Sequence, residues 1–503
     1  MTHGLNMLAF DLGAESGRAV LGTLVDDRLV LTEVHRFANI PVRLPDGLHW
    51  DVLHLFSNML EALTRSGQQH DLASIGVDAW GNDFALVDAT GALLGNPYHY
   101  RDSRTDGMLH EALRRVSRAE IFAQTGIQFM QANGLYQLFS MVVHSSPQLQ
   151  AAAGFLTIPD LFNYWLCGAR VCEFTNATTT QCYDPRRGDW ARPLLAALGI
   201  PTYIFPSIVP PGTVLGALLP GVAAEAGVGR VPVVAPACHD TGSAVAAVPA
   251  DGRDWAWISS GTWSIMGAEV PAPLIDEESL RRNMTNEGGV AGTFRYCKNI
   301  AGLWLVQECR RAWARSGEAP SYAELTDLAA EAPPFQTLID PDDYAFVKPG
   351  DMPARIRAYC KEHGEPVPAT QGAVVRAVLE GIALRYRLVL EMLESRLGRR
   401  LEPIHIVGGG SKNRLLCQLT ADATGRRVVA GPSEASAAGN ALMQAVALGY
   451  LGSLAEVRAV ARASFPLATY EPRTGGGWEE FYGRFKELVA AEEAGRRNNC
   501  DGG

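Results

Sequence analysis

Apolar runs and their spacing divide this chain into elements before any chemistry is considered. "MLAFDLG" (residues 7–13) is a short apolar run ending in a polar turn, which predicts a buried strand. "GRAVLGTLVDD" and "LVLTEVHRFA" continue it as a meander, with Asp26 and Asp27 in the hairpin turn. Between residues 52 and 66, Leu53, Phe56, Leu60 and Leu63 recur at helical spacing and predict an amphipathic helix with those four on its inner face. "ASIGVDAWG" and "DFALVDATG" predict further strands, and "VPVVAPACHDTGSAVAA" predicts a buried strand, a turn and a helix start.

The second half opens as the first does. "DWAWISSGTWSIMGAEV" (254–270) predicts two apolar strands around a tight turn. Helices near 302–315 and 371–397, the strand "PIHIVGGG", a helix from 412, the strand "RRVVAGP" and a helix from 435 follow. Each half thus starts with a hairpin whose turn is rich in Gly and hydroxyl residues, "DLGAESGR" (11–18) and "SSGTWS" (259–264). The pattern predicts a duplicated pair of α/β domains facing each other, and the lack of a short repeat period argues against a solenoid. The expected boundaries are 1–247, 248–475 and a tail at 476–503. In that tail Trp478, Phe481, Tyr482, Phe485, Leu488 and Val489 form an apolar stripe suited to docking on the body.

Composition narrows the class. With 503 residues, 47% hydrophobic and 19% charged, the chain reads as a globular protein of two to four domains. A net charge of −10 argues against nucleic acid or an anionic membrane as partner. An anionic nucleotide remains compatible where backbone amides and a metal supply local positive field. No cationic segment precedes the first apolar run, and stretches such as 213–235 are broken by Gly, Pro, Glu and Arg, so neither a signal peptide nor a transmembrane span is expected. Nine cysteines without a C-x-x-C pair point to reduced thiols and a cytoplasmic setting.

The candidate chemistry lies in a few turns. No P-loop, G-x-G-x-x-G or H-E-x-x-H motif is present. "DLGAESGR" is either an ordinary hairpin turn or a phosphate grip, in which Gly13 and Gly17 let backbone N–H groups approach, Arg18 adds charge and Asp11 holds a hydrated metal ion. "SSGTWS" carries the same two readings. The glycines of "IHIVGGGSKN" serve strand–helix packing or a flat nucleotide surface beside the helix that Asn413 opens. In "CHDTGSAVAA" (238–247), Cys238 and His239 are adjacent and poorly placed to pair, and the spacing is wrong for a metal. Asp240, where a buried strand gives way to a helix, is either a helix cap or the acceptor of a hydroxyl proton. "VDAWGND" (77–83) reads as a sugar-binding element or as a core Trp beside a turn. "CKNIAGLWLVQE" places Lys298 and Asn299 just before a helix, Asn299 being a cap or a ligand contact, with Gln307 two turns in.

Together, "DLGAESGR", "CHDT", "SSGTWS" and "IVGGGSKN" resemble the FGGY carbohydrate kinases of the sugar kinase/actin/heat-shock chaperone superfamily. "HRFAN", "VDAWGNDF", "YRDSRTDG", "TGIQF", "EFTNATTTQ", "TNEGG", "KNIAGLW" and "SEASAAGN" resemble the branch of that family acting on L-rhamnulose; the similarity runs from about 7 to about 475. The resemblance implies two actin-like (ribonuclease H-like) α/β domains with mixed sheets, flanking helices and an interdomain cleft. It implies ATP with Mg²⁺, and phosphorylation of L-rhamnulose to L-rhamnulose 1-phosphate. By the same resemblance Ala14, Glu15, Ser16, Gly17, Arg18, Thr262, Gln307, Gly409 and Gly410 line the nucleotide. Gly81, His239, Asp240, Thr241 and Asn299 contact the sugar, and Asp240 is the proton acceptor. A monomer or small homo-oligomer is expected. Glu15 departs from the Ser of many relatives, and Cys238 from a small polar residue. A sibling ketose or polyol kinase, a sugar- and ATP-binding sensor and an actin- or chaperone-like ATPase are the alternatives.

Overall fold

The computed structural model describes residues 4–318, 320–473 and 475–501, with side chains to residue 492. The chain forms two compact units: 1–251 with 269–297 and 434–465, and 252–268 with 298–433 and 466–503. This interleaving differs from the contiguous division expected at 247/248, because later segments return to complete the first unit's core. The tail helix belongs to the second unit and is not a separate appendage.

The first unit is built on a six-stranded sheet in the order Thr213–Ala217, Pro232–Ala235, Ser74–Ala79, Leu5–Leu12, Ser16–Val25, Arg28–Ala38. Leu5–Leu12 pairs antiparallel with Ser16–Val25 and parallel with Ser74–Ala79. In the second unit Ala256–Ser260 likewise pairs antiparallel with Trp263–Val270 and parallel with Ile404–Val407. The same topology in both units, mixed sheets flanked by helices, bears out the expected actin-like class.

The first helix, Val52–Gln69, corrects one expectation. Val52, Leu55, Met59, Ala62, Leu63 and Ser66 are its buried residues, and Leu53 is 60% exposed. Spacings of three and four fit either register, and the sheet takes the face that fills it better.

The helix Ala435–Ala447 explains why "SEASAAGN" is so small. A Cβ at Gly439 would lie 1.8 Å from the Ser243 carbonyl oxygen, and one at Gly76 would lie 2.5 Å from Asn440 Oδ1. The helix therefore packs at backbone distance on Asp240–Ala246 and on the sheet. Its polar face is equally committed, since Asn440 donates to Asp78 Oδ2 (2.6 Å), and Gln444 accepts from Ser74 and donates to the Leu8 carbonyl.

In the second unit the tail helix Trp478–Asp501 docks through the expected stripe, with Phe481, Tyr482, Phe485 and Val489 buried and Leu488 half-buried. Phe335 packs edge-on against Trp478 and Phe481, and Tyr482 donates to Glu391 Oε2 at 2.7 Å.

Candidate functional site

In the first unit, the carboxyl ends of the parallel strands gather the candidate residues, where open α/β sheets take their ligands. Asp11 stands opposite Asp78 in parallel register and opposite Arg18 across the hairpin. Asp240 is the first residue of the helix Asp240–Ala246. The capping position falls to His239, whose side chain makes no cap bond, so the helix-cap reading of Asp240 does not hold.

The turn at 13–17 is a closed loop: the Gly13 N–H donates to the Ser16 carbonyl (3.0 Å), and Asn39 bonds both Gly13 and Glu15 backbone oxygens. Gly17 has a packing reason, since a Cβ there would meet the Phe37 ring at 2.2 Å. Arg18 lies between the carboxylates of Asp11 and Glu434. Burial disfavours its charge, but Asp11 and then Glu434 outweigh that and raise its pKa. Ala14 and Ser16 are half-buried, and Glu15 is exposed.

The 238–241 turn is held by "EFTNATTTQ". Glu173 accepts from the Cys238 N–H (3.0 Å) and from Thr175 N and Oγ1, and Thr175 Oγ1 accepts from the His239 N–H at 3.0 Å. The Ala79 N–H donates to the Cys238 carbonyl at 2.9 Å, tying this turn to the strand that leads into Gly81. Asp240 Oδ1 receives the Thr241 N–H (2.5 Å) and hydroxyl (3.2 Å) and faces His239 Nε2 at 3.4 Å. Burial raises the Asp240 pKa and the charge of Asp11 adds to that, against the opposing pull of His239. Asp78, wholly buried, is pushed well above the carboxylate range by burial first and then by Asp11 and Asp240.

Cys238 is no nucleophile. Its thiol is buried, is approached by Asn163 Nδ2 at 3.8 Å, and is driven upward by burial and the neighbouring Glu173, Asp160 and Asp78. Trp80 proves to be core: its ring lies 4.2 Å from Trp50, and both indoles donate to the buried Asp83.

In the second unit, the turn at 260–263 is the focus. The helix Trp304–Arg315 begins on it, with Leu303 N–H bonded to the Gly261 carbonyl and Trp304 N–H to that of Thr262. Gln307 is therefore one turn into that helix, and its Oε1 is buried with no hydrogen-bond partner among the described residues. Gly410 touches the same turn, since a Cβ there would lie 2.0 Å from Ser260 Oγ, and Gly409 is exposed with open space beside it. Asn413 caps Arg414–Thr424 through Leu416 N–H. Asn299 sits in the strand Phe294–Ala301 and the helix starts at Trp304 with Leu303 in the capping position, so the cap reading fails. The structure thus brings Thr262 and Gly410 to one turn, with Gln307 one turn into the helix that starts on it, and brings Asp11, Arg18 and His239–Thr241 to the strand ends of the first unit.

Family models match the two halves in order: the FGGY family of carbohydrate kinases, N-terminal domain, over 6–247, and its C-terminal domain over 256–448. The chain belongs to the FGGY family of carbohydrate kinases. Among relatives of this FGGY kinase, the rhamnulokinase of Bacteroides thetaiotaomicron is 44% identical over 96% of the chain and 99% of the relative. That of Pectobacterium carotovorum is 41% identical over 97% of each. Among solved structures, gluconate kinase from Lactobacillus acidophilus superposes with a TM-score of 0.81 at 17% identity, covering 97% of this chain and 98% of that one. Among the described residues, no helix of the kinase is long and apolar enough to cross a membrane.

Asp78, Glu173, Thr175, Glu434 and Asn440 were missed as supports. The one available signal was a charged residue inside an apolar strand, Asp78 in "SIGVDA". The Glu173 shell yields a stability prediction. Asp160, which accepts from Thr157 Oγ1 and Glu173 N–H, is pushed to about 8 by burial and by the charge of Glu173. Burial takes Glu173 itself to about 7. Unfolded carboxyls titrate near about 4. The folded state therefore binds more protons between about 4 and 8, and this stabilisation is lost as pH rises through that window. Asp160→Asn is expected to lose less stability than the parent between pH 5 and 8 in denaturant melts. Equal slopes would show that Asp160 does not carry the proton.

Proposed function

We propose that this kinase transfers the γ-phosphoryl group of ATP to the C1 hydroxyl of L-rhamnulose, giving L-rhamnulose 1-phosphate and ADP. The observation that carries the reading is the near-full-length identity to curated rhamnulokinases, 44% in the first of them.

Asp240 is the proton acceptor. The described donors to its carboxylate converge on Oδ1, which leaves Oδ2 for the incoming hydroxyl. Its upward-shifted pKa brings it closer to the working pH, which favours general-base catalysis. His239, Thr241 and Gly81 orient the sugar, and Asn299 is a further sugar contact. Thr262, Gln307, Gly409 and Gly410 bind the nucleotide. The orphaned Gln307 Oε1 suits a donor such as a ribose hydroxyl or an adenine amine. Residues 14–18 face the phosphates.

The carboxylate chemistry fits Mg²⁺. Asp11 offers a carboxylate at the strand end, a hard oxygen donor of the kind that suits the hydrated ion. Asp11 would hold it through water, and bound with ATP it neutralises phosphate charge. Phosphoryl transfer is largely dissociative, so the residues chiefly position reactants and stabilise charge.

The test is a product assay with ATP and Mg²⁺ across L-rhamnulose, D-xylulose, D-ribulose, gluconate and glycerol. The highest kcat/KM is expected for L-rhamnulose, with the phosphate on C1 by NMR. A higher kcat/KM for another acceptor would replace the substrate, and ADP release independent of any sugar would overturn the reading.

A further inference from the structure

Behind His239 lies a buried ion pair that the proposed mechanism does not use. Glu287 and Arg295 face each other across the pair of strands Thr285–Gly288 and Phe294–Ala301. Arg295 is 0% exposed, so its charge is balanced from within the protein. Its Nε donates to the Gly288 carbonyl at 2.8 Å, Nη1 pairs with Glu287 Oε2 at 3.2 Å, and Nη2 lies 3.0 Å from His239 Nδ1.

A guanidinium has donors only and does not deprotonate in proteins. His239 Nδ1 must therefore accept, and a neutral imidazole in that position carries its proton on Nε2. That nitrogen faces Asp240 Oδ1. Glu287 Oε2 also approaches Nδ1, at 3.5 Å, and would favour a proton there. Its charge is already engaged by Arg295, whose donor is the nearer.

We propose that Arg295 is a positioning residue: it selects the Nε2–H tautomer of His239, which turns that N–H toward Asp240 Oδ1 at 3.4 Å and so favours the carboxylate orientation with Oδ2 toward the substrate hydroxyl. This rests on Asp240 as the proton acceptor, but the tautomer is fixed without any substrate. Ring tautomers report on such second contacts because the hydrogen bond at one nitrogen sets the proton at the other.

Long-range ¹⁵N–¹H correlation spectra of the ligand-free enzyme read the tautomer directly, with His239 assigned by the signal lost in His239→Gln. Nε2–H is expected in the parent. Nδ1–H there would overturn the proposal whether or not any variant folds. Replacing the pair together (Arg295→Met with Glu287→Leu) avoids stranding a buried charge. The double variant is expected to show mixed tautomers and about tenfold lower kcat, with an unchanged KM for ATP. A Gln at 239 presents its amide N–H where Nε2–H lay, so in the His239→Gln background the same pair replacement should cost less than about twofold in kcat. An equal loss in both backgrounds, or an unchanged tautomer, would sink the proposal. Kinetics use the best acceptor of the sugar panel, so a wrong sugar assignment leaves this test intact.

Discussion

Asp240→Asn is expected to lose more than about a hundredfold in kcat while keeping its fold and its affinity for sugar. Asparagine matches the volume of aspartate and keeps an oxygen for the Thr241 N–H and hydroxyl, so the turn has no reason to move. What disappears is the ability to take a proton from an attacking alcohol. General-base assistance is worth about 10²–10⁴ in rate, roughly 3–5 kcal/mol. Steady-state turnover and calorimetric sugar binding measure the two halves of the expectation. Near-normal turnover would remove Asp240 from the chemistry. A second readout separates mechanism from misfolding. Because the folded carboxyl has a raised pKa, its stabilising protonation is lost as pH rises, and the neutral amide escapes that loss. The variant should therefore be at least as stable as the parent at pH 8. A carboxylate kept partly buried for function is a typical place for stability to be sacrificed.

The second large effect is mechanical. Gly439→Ala would place a methyl 1.8 Å from the Ser243 carbonyl oxygen, and that contact is with backbone, not with a side chain able to swing away. The helix Asp240–Ala246 must shift or tilt, carrying Asp240 with it. Overpacking of this kind costs about 1–3 kcal/mol, and a backbone partner puts the cost at the upper end. A fall of about 3 kcal/mol in unfolding free energy is expected, with at least a tenfold loss of kcat. Gly483→Ala is the control. It lies in the tail helix with nothing within 4 Å of an added Cβ, so the change should raise stability by up to about 1 kcal/mol. Equal behaviour of the two variants would refute the close helix approach.

The hairpins at 5–25 and 256–270 were legible because apolar strands flanking Gly-rich turns leave few other folds, and the strand–turn–helix at 232–246 for the same reason. The inner face of Val52–Gln69 was not, since helical spacing gives the period but not the phase when Leu53 and Val52 are neighbours. The supports of Asp240 were hidden for another cause. Glu173, Glu287 and Arg295 are ordinary charged residues in sequence, and only tertiary pairing brings them to Cys238 and His239. Trp80, which the sequence left open between a sugar platform and a core Trp, is decided by tertiary pairing: its N–H is spent on Asp83.

The return of residues 434–465 to the first unit sets a schedule for biosynthesis. While the ribosome is still adding residues 252–433, the emerging N-terminal portion lacks the helix whose Asn440 satisfies Asp78 and whose Gln444 satisfies Ser74. Its grooves at Gly76 and Ser243 stay open over the same interval. A nascent chain of this kind exposes apolar surface until translation is nearly complete, which makes it a natural client for chaperones and a poor candidate for expression as an isolated N-terminal half.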